Sequence, residues 1–155
     1  MVQSSLKRQT AQGKDLCYSV IIPAYNEEAF LPETLADLLL AMETVPYPGE
    51  IIVVDNNSID GSNLMVKNKF PEVKLIENNN NLGFSKANNQ GIKKAQGEYV
   101  LLLNPDTVVE DDTFLKITEF MDDHPVAGAL GVERVDGSGN FLPESNRGLP
   151  APAGA

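Results

Sequence analysis

Short, uninterrupted apolar runs alternate along this chain with longer segments in which apolar residues recur every three or four positions. The first run, residues 20–22 in "CYSVIIPAYNEE", is closed by Pro23 and reads as a buried strand breaking into a loop. A helix follows, with Pro32 suited to its first turn and Leu35, Leu38, Leu39 and Met42 on one apolar face, before "VPYPGE" breaks the chain. The second run, residues 51–54, opens into a polar loop at Asp55, where Ser58 or Asp60 is placed to cap a helix that carries Leu64 and runs toward Phe70 and Pro71. "VKLIE" is a third, shorter strand, followed by an asparagine run at residues 78–81. Phe84, Ala87, Gly91 and Ala95 then recur at helical spacing, with Gly97 as the helix stop. Residues 99–103 form the fourth strand, and a fourth helix begins near Asp111 with Phe114, Ile117, Thr118 and Met121 on one face.

Strands that alternate with helices and are apolar throughout, rather than at every second residue, belong to parallel sheets covered on both faces. The expected fold class is α/β, a mainly parallel doubly wound sheet with flanking helices. In such sheets ligands bind beyond the carboxyl ends of the strands. Those ends are "PAYNE", "DNNSIDG" and "NPD", all polar. The segment "VAGALGVERVDGSGNFL" departs from the pattern, because two apolar runs flank "DGSG" as in a hairpin. The expected organisation is a polar leader over residues 1–16, one domain over 17–150, and a tail over 151–155, "PAGA" included, that has no helix or strand period and reads as a cut edge.

The 155 residues and 42% hydrophobic content fit one domain with a real core. Twelve basic against 22 acidic residues give a formal net charge of −10, which repels a phosphate backbone and argues against a nucleic-acid partner. Cys17 is the only cysteine, which excludes an intramolecular disulfide and a cysteine-based zinc site and leaves a small buried residue beside the first strand. No apolar run approaches the roughly 18–20 residues that span a bilayer, and "MVQSSLKRQTAQGKD" lacks the apolar centre of a secretory signal, so the expected compartment is the cytoplasm.

Parallel winding brings Asp55 and Asp106 to the same sheet edge. A carboxylate there is a hard oxygen donor for a divalent cation, and the cation neutralises a diphosphate. Pro105 holds the turn, so Asp106 has a fixed direction; the competing reading is that Asp106 caps the segment that follows. Asp55 and Asn56 match the hydrogen-bonding edge of a pyrimidine and the hydroxyls of a ribose, or else form an Asx turn into a helix. "NLGFSKANNQG" places Asn81 and Gly83 ahead of a helix whose first turn carries Lys86, an arrangement that favours an anion or is simply a capped helix with its lysine in solvent. "DNNSIDG" is not a calcium loop, since Ile59 occupies the third ligand position and the closing glutamate is absent. His124, the only histidine, reads as a solvated helix-end residue. There is no G-x-G-x-x-G after a strand and no P-loop lysine signature, so hydride transfer and ATP hydrolysis lose their usual supports.

In order, "SVIIPAYNE", "IIVVDNNSIDGS", "NLGFSKANNQGIKKAQGEYVLLLNPDT" and "RGLP" are similar to the nucleotide-sugar-binding half of a family 2 glycosyltransferase of the GT-A fold, and the "NPD" variant most resembles the rhamnosyltransferase-like branch. The resemblance implies roles residue by residue. Pro23, Ala24, Tyr25, Asn26 and Glu27 match the loop that lies against the nucleoside. Asp55 and Asn56 match the paired aspartates that contact base and ribose, with an amide in the second place. Asn104, Pro105 and Asp106 stand at the D-x-D element; Asp106 matches the aspartate that meets the metal, Mg²⁺ or Mn²⁺, and Asn104 replaces the first acid. Lys86 and Asn89 fall in the region that helps enclose the nucleotide. The implied reaction transfers a sugar, with inversion, from a nucleotide-diphosphate donor to a hydroxyl of a glycan or lipid-linked acceptor in cell-surface polysaccharide or glycolipid synthesis. The implied place is the cytoplasm at the inner face of the membrane, with peripheral membrane association of a full-length protein. The attacking hydroxyl needs a carboxylate base, which in this family comes from the acceptor-binding half, here expected beyond Ala155. Two other readings stand beside this one. A non-catalytic nucleotide-sugar-binding or regulatory module needs the same loops. A sugar-phosphate nucleotidyltransferase needs a glycine-rich loop after the first strand, which "IIPAYNEE" does not supply.

Overall fold

Four parallel strands in the order β3-β2-β1-β4 form the centre of the computed structural model, which describes residues 15–132, 138 and 140. The chain divides into two units, Met1–Thr118 and Glu119–Ala155, and the sheet lies in the first. The elements follow in chain order: β1 (Tyr18–Ala24), α1 (Leu31–Thr44), β2 (Gly49–Asp55), α2 (Ser62–Lys69), β3 (Lys74–Glu77), α3 (Phe84–Lys94), β4 (Tyr99–Leu102) and α4 (Thr113–Asp123). The hairpin expected around "DGSG" and the "RGLP" motif lie, for the most part, outside the described residues.

The unbroken apolar runs have a direct physical cause. Val20, Ile22, Ile51 and Val53 point to one face of the sheet, where they pack with Leu31, Leu35, Leu38, Met65, Val66 and Phe114. Ile21, Ile52 and Val54 point to the other, against Ala87 of α3. Every residue of β1 is therefore buried, as a strand covered on both faces requires. At roughly 1.5–3 kcal/mol for each fully buried aliphatic side chain, this double layer is the main source of stability. Its parallel register aligns Ala24 with Asp55 and Asp55 with Glu77, so the strand ends, and the loops that leave them, come out at one edge.

Three local expectations are corrected. Pro23 does not end β1, which continues to Ala24 in register with Val54 and Asp55. Ile21 accepts from Leu103 N on the β4 side and Ala24 accepts from Asn56 N on the β2 side. Alternation therefore turns Pro23 toward β4, whose pairing with β1 has already ended at Leu102, and no ladder hydrogen bond is lost. Gly97 does not stop α3, which ends at Lys94 with Ala95 as its cap. A Cβ at Gly97 would collide with the backbone of Tyr18 and Ser19, so glycine is needed there for a close crossing over β1. The residue capping α2 is Gly61, at φ 100°, rather than Ser58 or Asp60, although Asp60 Oδ1 still accepts from Ser62 N at 3.0 Å. Within α2 the inward residues are Met65 and Val66, and Leu64 faces solvent.

Other expectations hold. Pro32 stands in the first turn of α1, with Leu35 and Leu38 fully buried. Cys17 is buried. His124 is exposed at the end of α4, stacked on Phe120 with its Nδ1 2.8 Å from the Phe120 carbonyl. No helix among the described residues is long and apolar enough to cross a membrane.

Candidate functional site

At the edge where the strands end, a pocket of about 330 Å³ is lined by Pro23, Ala24, Tyr25, Glu27, Asn56, Asn81, Phe84, Asn104, Pro105 and Asp106. Its walls come from the ends of β1 and β2, the turn after β4, and the start of α3. Topology alone accounts for that assembly, because parallel strands deliver their carboxyl ends to a common edge.

The loops after β1 and β2 are tied to each other by four hydrogen bonds. Asn26 N donates to Ser58 Oγ and Ile59 N donates to Asn26 Oδ1, both at 2.9 Å. Glu27 N donates to Ser62 Oγ and Glu28 N to Asp60 Oδ2, again at 2.9 Å. Asn26 and Asn57 take left-handed backbone, at φ 59° and 69°, which asparagine tolerates better than most residues. Although partial desolvation opposes it, hydrogen bonding by Ser62 and by the Glu28 and Ser62 amides holds the Asp60 carboxyl below its usual range.

The turn after β4 is fixed from outside the pocket. Pro105 is buried and its carbonyl accepts from Thr34 Oγ1 of α1 at 2.7 Å, which leaves Asn104 and Asp106 exposed on either side. Glu27 shares the pocket with Asp106, and its carboxyl is raised above the usual range by desolvation first and then by the charges of Asp106 and Asp60. Glu27 and Asp106 are hard oxygen donors of the type a divalent ion takes. No group of three or more His, Cys, Asp or Glu side chains among the described residues is placed to cage a metal. That donor set suits Mg²⁺ or Mn²⁺ bound through one or two carboxylates together with a ligand's phosphates.

Asp55 is 2% exposed; its Oδ2 accepts from Ser58 N at 3.0 Å, whereas its Oδ1 is buried with no hydrogen-bond partner among the described residues. Asn56 reaches the pocket, and its Oδ1 is held by Asn78 Nδ2 at 3.0 Å. Asn78 is held in turn by Gln90 of α3, so the wall bearing Asn56 is braced from behind.

Of the expected site residues, Pro23, Ala24, Tyr25, Glu27, Asn56, Asn104, Pro105 and Asp106 meet at this pocket. Asn26, Asp55, Lys86 and Asn89 are not among its lining residues; Lys86 and Asn89 are exposed on α3. Two lining residues were not singled out as ligand contacts from sequence. Asn81 folds back so that its Oδ1 accepts from Gly83 N at 2.9 Å, and Phe84, the first residue of α3, is 60% exposed. Phe84 matches the apolar period of α3 and nonetheless faces outward. The available signal was Gly83 immediately before it, whose φ of 83° turns the chain so that Phe84 faces outward.

The family model for glycosyl transferase family 2 matches residues 19–150. The minor teichoic acid biosynthesis protein GgaB of Bacillus subtilis is 33% identical over 111 residues, 69% of this chain and 12% of that protein. The crystal structure of S. aureus TarS 1-349 in complex with UDP-GlcNAc superposes with a TM-score of 0.61 at 28% identity, covering 71% of this chain and 32% of that one. The mannosyltransferase PcManGT from Pyrobaculum calidifontis, in complex with GDP-Man and Mn²⁺, gives a TM-score of 0.59 at 26% identity, covering 75% and 33%. The chain thus spans about a third or less of these relatives. Its sheet order, its ligand edge and the match over most of its length place it in glycosyl transferase family 2, with a GT-A fold.

Proposed function

We propose that this chain forms the donor-binding part of an inverting glycosyltransferase that moves a sugar from a nucleotide diphosphate to an acceptor hydroxyl. The observation that carries the reading is the pocket at the strand ends, where the loop bearing Tyr25 and Glu27 faces the Asn104-Pro105-Asp106 turn. Tyr25 and Asn56 would hold the nucleoside, and Asp106 would hold a Mg²⁺ or Mn²⁺ bound to the diphosphate. The TarS complex with UDP-GlcNAc and the mannosyltransferase complex with GDP-Man and Mn²⁺ support that assignment by likeness.

Division of labour within the pocket follows from chemistry. A cation held by Asp106 would supply positive charge to the diphosphate leaving group. Asp106 orients that charge, Pro105 and Thr34 fix Asp106, and Tyr25 and Phe84 offer apolar surface to a planar base. The proton of the attacking hydroxyl goes to a carboxylate base, which we assign to an acceptor-binding part of the whole protein. The "NPD" turn supports a place in the rhamnosyltransferase-like branch. Use of an activated nucleotide sugar supports action in the cytoplasm, at the inner face of the membrane if the acceptor is lipid-linked.

Calorimetry with UDP, GDP and dTDP, each with and without Mn²⁺, tests the reading. Metal-dependent binding of at least one of them is expected, and heats no larger than dilution for every pair would overturn it.

A further inference from the structure

Consecutive residues of the loop after β1 face different ways. Tyr25 and Glu27 line the pocket, and Asn26 between them does not. Asn26 adopts φ 59° and is joined to the loop after β2 in two ways, through Oδ1 to Ile59 N and through its own amide to Ser58 Oγ, both at 2.9 Å. Ser58 donates its backbone N–H to Asp55 Oδ2 at 3.0 Å. A continuous set of bonds thus runs from Asp55 through Ser58 to the residue that separates Tyr25 from Glu27.

We propose that Asn26 is a positioning residue: clipped to the loop after β2, it holds Tyr25 and Glu27 in the attitude that receives a nucleotide diphosphate, and gives the ligand no atom of its own. The inference rests on the donor-binding reading. Three demands meet at this position. The backbone must enter the left-handed region, which asparagine and aspartate tolerate and β-branched residues do not. A side-chain carbonyl must reach Ile59 N, and the chain must turn so that both neighbours face one pocket. Without the clip the loop samples other conformations, and ligand binding must then order it.

The role of Asn26 as acceptor rather than donor makes the test specific. Asn26→Asp keeps the acceptor and the tolerance for positive φ but loses the side-chain N–H groups. Asn26→Gly keeps the backbone freedom and loses the acceptor. Ser58→Ala removes the other half of the clip at a residue that does not line the pocket. Affinity for whichever of UDP and GDP binds the unmodified chain is measured with Mn²⁺ at about 1 M salt, where the Debye length falls to about 3 Å and the charge that Asn26→Asp adds beside Glu27 is largely screened. Asn26→Asp is expected to stay within about threefold of the parent. Asn26→Gly and Ser58→Ala are each expected to lose about fivefold, as for one net hydrogen bond, and their combination to lose less than the product, because both strike one clip. If Asn26→Asp loses as much as Asn26→Gly, the amide N–H touches the ligand and the inference fails. If Asn26→Gly and Ser58→Ala lower only the melting temperature and leave affinity unchanged, the clip is merely structural and the inference fails again. Absence of binding by the unmodified chain overturns the donor-binding reading, and this inference with it.

Discussion

Two glutamates at opposite edges of the same sheet, Glu50 and Glu27, are treated in opposite ways. At the amino edge Glu50 is nearly buried, yet all its neighbours are donors: Ser19 Oγ and Gln96 N each lie 2.7 Å from Oε1, and Lys74 Nζ is 2.5 Å from Oε2. Desolvation pushes its carboxyl up, but those donors outweigh it and the net shift is downward. At the carboxyl edge Glu27 meets desolvation and two further negative charges, and its shift is upward. Glu50 is met by the chain's own donors and an ion pair, although its Oε2 has no hydrogen-bond partner among the described residues. Glu27 instead faces a pocket in which other acids lie close to it.

The strongest way to break this contrast is to remove Glu50. Glu50→Ala leaves Ser19 Oγ, Gln96 N and the Lys74 ammonium without their shared acceptor, and Ser19 is fully buried. A loss of about 1–3 kcal/mol is expected in urea unfolding, the cost of leaving the buried Ser19 hydroxyl and the Gln96 amide without their acceptor, with little from the half-exposed Lys74. Nucleotide affinity of the folded fraction should not change. A loss below 0.5 kcal/mol, on the order of an ordinary surface substitution, would show that the network is ornamental.

The next effects fall on the other edge. Asp106→Asn removes the carboxylate proposed to hold the cation, on a turn already fixed by Pro105 and Thr34. Titration of nucleoside diphosphate with Mn²⁺ should show affinity reduced about tenfold, on the scale of about 1.4 kcal/mol for a lost charge-assisted contact, and the metal-free titration should barely move. A change in melting temperature alone would make Asp106 a capping residue. Phe84→Ala should weaken nucleotide binding by a smaller factor, about three- to tenfold for one base-to-aromatic contact, and should leave stability nearly unchanged because the ring is 60% exposed. A substantial fall in stability would make Phe84 a packing residue rather than a ligand contact.

The contrast also explains what could be read in advance. Continuous apolar runs between helical periods specify a parallel sheet buried on both faces, and that topology brings "PAYNE", "DNNSIDG" and "NPD" to one edge without further information. Positions whose role depends on a single backbone angle or a cross-loop bond were not legible. Phe84 has the spacing of a core residue and is turned outward after Gly83; Gly97 resembles a helix stop and serves a close crossing over Tyr18 and Ser19. Asn26 reads as a loop residue beside a ligand, and only the structure shows its side chain engaged with Ile59. The amino-edge network was silent in sequence, since Ser19, Glu50, Lys74 and Gln96 belong to four separate segments joined only by register.

The smallest expected effect is the one that most sharpens the comparison. Glu27 has its carboxyl raised in the folded chain by desolvation and then by Asp106 and Asp60, so the folded state binds a proton more readily than the unfolded state, whose glutamates titrate near 4.3. The stability this group contributes is therefore fully present below about pH 4 and is lost as pH rises through the raised folded value. Glu50, shifted downward, contributes stability above the unfolded value that is lost as pH falls through its depressed folded value. Replacing Glu27 by Gln removes the first term alone. At pH 7 Glu27→Gln should be slightly more stable than the parent, the margin being small because Glu27 is partly in solvent, and the two should converge near pH 4. Mn²⁺ with nucleoside diphosphate should narrow the gap at pH 7, because positive charge beside Asp106 relieves the crowding the substitution removes. A variant less stable than the parent at pH 7, or a difference independent of pH, would mean that Glu27 is compensated in the folded chain. Glu27 would then be as well matched by its surroundings as Glu50 is.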